Sequence, residues 1–78
     1  MQRMKIRTKD GKRYLEFEEV YAEEYGRAGQ AAVFAINQYH KAPVCIGVYA
    51  DMNRARGVLY EIDLAFQSGQ KVFYAPAE

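Results

Sequence analysis

A disulfide within the chain is excluded at once, because Cys45 is the single cysteine. A metal centre built on cysteine and histidine is excluded for the same reason, since His40 is the single histidine. The net charge is only +1, so no bulk field points to nucleic acid or to a membrane surface. No stretch approaches the ~18 consecutive apolar residues that a membrane span needs. The opening residues, Met1 to Lys5, hold no apolar signal-peptide core, and a cytoplasmic location is expected. EF-hand spacing, a Gly-rich phosphate loop and paired histidines are all missing. No cofactor, metal or enzymatic activity is therefore expected. Repeats, linkers and low-complexity segments are missing too, so residues 1–78 read as one domain. A chain of 78 residues buries a modest core and is marginal alone. With disulfides and metals removed, oligomerisation is the remaining support.

Half of the residues are apolar, and seven tyrosines and four phenylalanines are among them. That is enough for a core with aromatic surface left over. The charges fall in two blocks. Arg3, Lys5, Arg7, Lys9, Lys12 and Arg13 are interrupted only by Asp10; Glu16, Glu18, Glu19, Glu23 and Glu24 follow with no base between them. Residues 3 to 9 alternate strictly, with Met4 and Ile6 on one side and bases on the other, the pattern of a half-buried strand. Asp10-Gly11 is a hairpin signal. On the return, Leu15 and Phe17 share one face, Glu16 and Glu18 the other. The expectation is a hairpin with a basic strand facing an acidic one, each opposite-charge pair contributing roughly 0.2–1 kcal/mol.

Glu18-Glu19 breaks the alternation and predicts a bulge, after which Val20 and Ala22 run on a new phase. Gly26 to Gly29 predicts a turn. Residues 31–38 are apolar on both sides, Val33 and Ala35 against Ala32, Phe34 and Ile36. They predict a central strand covered on both faces, with a helix as the alternative. Tyr39 to Pro43 reads as a loop and Val44 to Ala50 as a strand. Asp51 is placed to cap a helix running to Ser68. Ala55, Val58, Leu59, Ile62, Ala65 and Phe66 fit a continuous helical stripe, and Gly69 is suited to the stop. Lys71 to Tyr74 reads as a last strand. The fold expected is α+β: an antiparallel β-sheet of four to six strands, packed on one face by a single helix in the C-terminal half and followed by a short last strand. The second sheet face is then open, for the hairpin charges or for a partner.

Several short motifs run together here. They are Met4-Lys5-Ile6, Gly47-Val48-Tyr49, Arg54-Ala55, Val58-Leu59-Tyr60-Glu61-Ile62, Gly69-Gln70-Lys71-Val72-Phe73, and the ending Pro76-Ala77-Glu78. The pattern is similar to small uncharacterised proteins of phages and prophages in Firmicutes. It covers the C-terminal half and, before that, only a strand-rich beginning. The resemblance implies a short accessory protein of a mobile element, acting in the cytoplasm of the bacterial host. Helices of this kind commonly open with acids, whereas this one opens Met52-Asn53-Arg54-Ala55-Arg56.

Arg54 and Arg56 beside the amides of a helix start form a candidate anion site, at a cost to the helix dipole of roughly 0.3–1 kcal/mol each. The plain alternative is that both are solvated or paired with glutamates. Tyr39 and Tyr49 are candidate stacking residues, and His40 could help line the same site. Tyr60 and Leu64, off the core stripe and four apart, are a candidate interface. A Cys45–His40 nucleophile pair is disfavoured, because a thiol in an apolar strand is expected to be buried and inert. The leading expectation is a non-enzymatic, homo-oligomeric binding protein that sequesters an anionic, nucleotide-like ligand, as a counter-defence protein would. The alternative is a protein-interaction module that blocks or adapts a host or phage protein. Nucleic-acid binding through the basic strip with Tyr14 and Tyr21 ranks third.

Overall fold

The structure is a computed structural model and describes residues 4–39 and 41–78. Among the described residues there are six strands and one helix: β1 (Lys5–Arg7), β2 (Tyr14–Glu16), β3 (Glu19–Glu24), β4 (Ala31–Ile36), β5 (Val44–Tyr49), α1 (Met52–Gln67) and β6 (Val72–Tyr74). The architecture is α+β, with the helix in the C-terminal half and the short strand after it. The strands divide into two sheets, ordered β2-β1-β6 and β3-β4-β5. All pairings are antiparallel except β1 with β6, which is parallel.

The division of the sheets begins at Phe17-Glu18, where the alternation breaks. β2 stops at Glu16, and the Glu18 amide donates to the Ile36 carbonyl (2.8 Å). The chain changes sheets there instead of bulging within one. This corrects the expected charged hairpin. Lys5 does lie opposite Glu16, but Arg7 lies between Tyr14 and Tyr74. Its guanidinium sits 5.0 Å from the Tyr14 ring centroid and 5.9 Å from that of Tyr74, and it donates to the Tyr14 hydroxyl (2.8 Å). Glu18, Glu19, Glu23 and Glu24 belong to the other sheet or its approach.

The hairpin turn itself is as the sequence predicts, with Gly11 at φ +75°. The Asp10 carboxylate accepts from the Thr8 hydroxyl (2.6 Å) and the Lys12 amide (2.9 Å). Those bonds, the Thr8 one foremost, hold its carboxyl below the usual carboxylate range. A lowered folded-state value stabilises the native state above about pH 4, and the contribution disappears as pH falls through the lowered value. Asp10→Asn is expected to flatten this part of a plot of Tm against pH, and to leave the neutral-pH Tm changed by only a few degrees.

The helix matches its signals. Asp51 is the N-cap, accepting from the Arg54 amide (2.7 Å), and Gly69 takes φ +80° just past the Ser68 C-cap. The helix lies across β3, β4 and β5. Ala55, Val58, Ile62 and Ala65 are buried against Ala31, Val33, Ala35, Val44 and Ile46. The expected stripe is narrower than the sequence indicates: Leu59 is half-buried and Phe66 is exposed. Both lie on one flank of the stripe, where the Phe66 and Phe17 rings meet at a steep angle (centroids 6.4 Å apart, planes at 67°). Sheet β2-β1-β6 supplies Ile6, Leu15 and Phe73 to the same core, so both sheets and the helix share it. No helix among the described residues is long and apolar enough to cross a membrane.

Candidate protein-interaction surface

β4 alternates between two environments. Ala31, Val33 and Ala35 face the helix with Val20 and Ala22 of β3. Ala32, Phe34 and Ile36 therefore face the other way. Among the described residues no helix or further strand packs on that second face; neighbouring side chains bury Ala32 there and half-bury Phe34, and Ile36 is exposed. The expectation of a strand covered on both sides holds only in part: the one helix covers one face, and on the other, where the described residues supply no second layer, Ala32 is buried but Ile36 is exposed.

Cross-strand register arranges the open face in rows. Phe34 is central, opposite Tyr21 of β3 on one side and Cys45 of β5 on the other. Glu19 stands beside Ile36, and Glu23 beside Ala32, which faces Val48 on its far side. The Tyr21 and Phe34 rings stack with centroids 5.5 Å apart and planes at 26°. Tyr25, at the end of β3, meets the edge of Phe34 at 5.8 Å and 72°. These contacts hold Phe34 in place without hiding it. Ile36 is 39% exposed and Tyr25 51%, and Cys45 is exposed. One border is acidic, carrying Glu19 and Glu23, neither of which forms an ion pair among the described residues.

A bulge in β5 separates its outward residues from the edge. Phe34 pairs with Cys45 but Val33 with Gly47, so Ile46 is the extra residue. The Ile46 carbonyl accepts from the Lys9 amide (2.8 Å) and the Val48 carbonyl from Lys9 Nζ (2.6 Å). Lys9 thus closes the β5 edge. At the opposite end of β4, the buried Asn37 donates to the Glu16 carbonyl (2.8 Å) and accepts from the Tyr39 amide (2.9 Å). That ties the second sheet to the first.

Cys45 is not buried, contrary to expectation. Partial desolvation nevertheless raises its thiol above the ordinary value, which reduces the reactive thiolate at neutral pH. His40 lies outside the described residues. Among the described residues no group of three acids, cysteines or histidines is arranged around a metal position.

The candidate anion-site residues do not converge. Tyr49 and Arg54 do meet, with the guanidinium 5.9 Å from the ring centroid. Both are already committed. Arg54 pairs with Glu61 (3.0 Å) and donates through Nε to the Glu78 carbonyl (2.7 Å). The Tyr49 ring is buried, carries Lys9 Nζ 4.8 Å from its centroid, and donates its hydroxyl to the Pro76 carbonyl (3.0 Å). Burial pushes that phenol up to about 12. The amide of Arg54 is occupied by the Asp51 carboxylate. Arg56 is exposed. Tyr39 sits in the loop before β5, whereas the helix starts after it, so the length of a six-residue strand, about 20 Å, separates the two. Tyr60 and Leu64 are exposed on the helix, at 64% and 46%.

Sequence reasoning did not single out Phe34, Tyr25 or Ile36 as site residues; it named Tyr21 only beside the basic strip and Cys45 only in the disfavoured pair with His40. The available signal was the two-sided apolar run Ala31 to Ile36 in a chain with only one helix to cover it. Comparison with protein-family models, with curated proteins and with solved structures finds no match.

Proposed function

We propose that this chain is a non-enzymatic interaction module whose working surface is the open face of β3-β4-β5, and that its partner presents an apolar strip bordered by basic side chains. One observation carries the reading: β4 is apolar on both faces, and among the described residues no helix or strand packs on the second, which leaves Ile36 39% exposed. A strand of that composition is normally buried on both sides. Burying what Ile36 still exposes is worth at most roughly 2 kcal/mol in apolar transfer, and the remainder of the half-buried Phe34 less. The acidic border supplies the sign of the partner's charge, since like charges across an interface are costly. In the phage or prophage setting that the sequence resemblance implies, the partner is a host or phage protein that the module blocks or adapts. Sequestering of an anionic ligand at the helix start draws less support, because Arg54 and the capped amide already hold carboxylate or carbonyl partners.

The test uses a synthetic peptide alternating lysine with leucine, and its counterpart with glutamate for lysine. In an amide and aromatic NMR titration, the basic peptide is expected to shift Tyr21, Phe34 and Cys45 saturably, and the acidic one not. Glu19→Lys with Glu23→Lys is expected to weaken the basic peptide about tenfold or more while leaving the Tm nearly unchanged. Equal binding of both peptides, or shifts confined to another surface, would overturn the proposal.

A further inference from the structure

A second unsatisfied surface lies on the other sheet, around β6. The amide of Lys5 donates to the Lys71 carbonyl and that of Ala75 to the Arg7 carbonyl, both at 3.0 Å. Residues 71, 73 and 75 therefore turn their backbone groups toward β1, and Val72 and Tyr74 turn theirs outward. β6 ends the order β2-β1-β6, so this outward side is a sheet edge. Its only cap among the described residues comes from within the same segment: Gln70 Nε2 donates to the Val72 carbonyl (2.6 Å). Beside the edge runs an open groove of about 600 Å³ between β6 and α1, lined by Leu64, Ala65, Phe73 and Tyr74 with Glu61 and Gln70 at its polar margins. Leu64 overhangs it, and Tyr60 extends the apolar surface further round the helix.

We infer that this edge and groove take a second copy of the chain, whose β6 pairs antiparallel with the first about a two-fold axis. The result is a continuous six-stranded sheet, with Leu64 of each helix turned toward the other copy. Two observations favour a second copy as the occupant. Self-pairing centred on Phe73 sets Val72 opposite Tyr74 and Lys71 opposite Ala75, so no like charges meet. The edges of the second sheet do not allow this: self-pairing of β3 about its middle would set Glu19 opposite Glu24 and Val20 opposite Glu23, and Lys9 occupies the Ile46 and Val48 carbonyls on the β5 edge. A two-fold interface of this kind is isologous, each patch matching itself.

The inference does not depend on the open face of β3-β4-β5, and the variants separate the two. Sedimentation equilibrium of the purified chain at about 10–100 μM is expected to give twice the monomer mass, the range in which a modest interface associates. Leu64→Lys is expected to raise the dimer dissociation constant about tenfold or more with the circular dichroism spectrum retained. Tyr74→Pro removes an outward amide without removing a bond to β1, and is expected to give a monomer as well. Phe34→Glu is expected to leave the dimer intact. A monomer throughout that range would overturn the proposal. So would a dimer that survives Leu64→Lys and Tyr74→Pro but dissociates with Phe34→Glu, an outcome that places self-association on the open sheet face.

Discussion

Ile6→Ala is expected to lower the urea midpoint by about a molar or more, or to abolish a cooperative transition altogether. Ile6 has no exposed surface, and it stands between Leu15 and Phe73 in the three-stranded sheet. It lies at the centre of the three side chains, Leu15, Ile6 and Phe73, that this sheet supplies to the shared core. Truncating a fully buried isoleucine costs about 2–5 kcal/mol, because the lost transfer energy adds to the cavity left behind. A domain of this length has about 4–12 kcal/mol in total, so the change consumes a large share of it. Ile36→Ala is the matched control. Ile36 is exposed on the open face, and its removal should cost no more than about 0.5 kcal/mol in the isolated chain. A loss under about 1 kcal/mol for Ile6→Ala would mean that the sheet of β1, β2 and β6 is not docked on the common core.

Gly47→Ala is expected to destabilise by about 1–3 kcal/mol, the usual range for overpacking. Two effects oppose each other here. Alanine restricts the unfolded chain and by that route stabilises by roughly 0.4–1 kcal/mol where the backbone accepts it. The new methyl, however, would lie 2.8 Å from Lys9 Cβ and 3.1 Å from both Lys9 Cδ and the Tyr49 hydroxyl. Lys9 cannot retreat cheaply, since its amide is bonded to the Ile46 carbonyl. The contact is to Cβ, so Lys9→Ala should not relieve it, whereas Lys9→Gly should. A double-mutant cycle read by thermal denaturation therefore expects strong coupling between Gly47→Ala and Lys9→Gly, and little with Lys9→Ala. Additivity in both cycles would show that the methyl is accommodated elsewhere.

The elements set by local chemistry are legible in the sequence. The Asp51 cap, the Gly69 stop and the Asp10-Gly11 turn each depend on one or two residues, and they occur where those residues stand. The partition of the strands is less legible. Alternation tells which residues share a face of a strand, but the partner strand depends on contacts far away in the chain. The acidic block illustrates this. Glu16 stays opposite Lys5, while Glu19 and Glu23 leave for the second sheet, and nothing within their own segment distinguishes them. The candidate anion site failed to assemble for a related reason. Arg54 and Tyr39 flank one strand at opposite ends, and the committed state of Arg54 depends on Glu61 and on the carbonyl of Glu78. The open face was half-legible: the apolar run of β4 was evident, but its lack of cover could be seen only once the single helix had been assigned to one side.

The parallel pairing of β1 with β6 has a consequence for the order in which the molecule forms. β1 pairs on one side with a hairpin partner a few residues away, and on the other with Val72 to Tyr74, which follow every other element of the fold. Closing a loop of that span costs on the order of 4 kcal/mol in chain entropy. A polypeptide emerging from the ribosome can build β3, β4, β5 and the helix while Ile6 still waits for Phe73. The last step is then a clasp between its two ends, and the amides of β1 that point to β6 are the ones whose hydrogen exchange should report when it shuts.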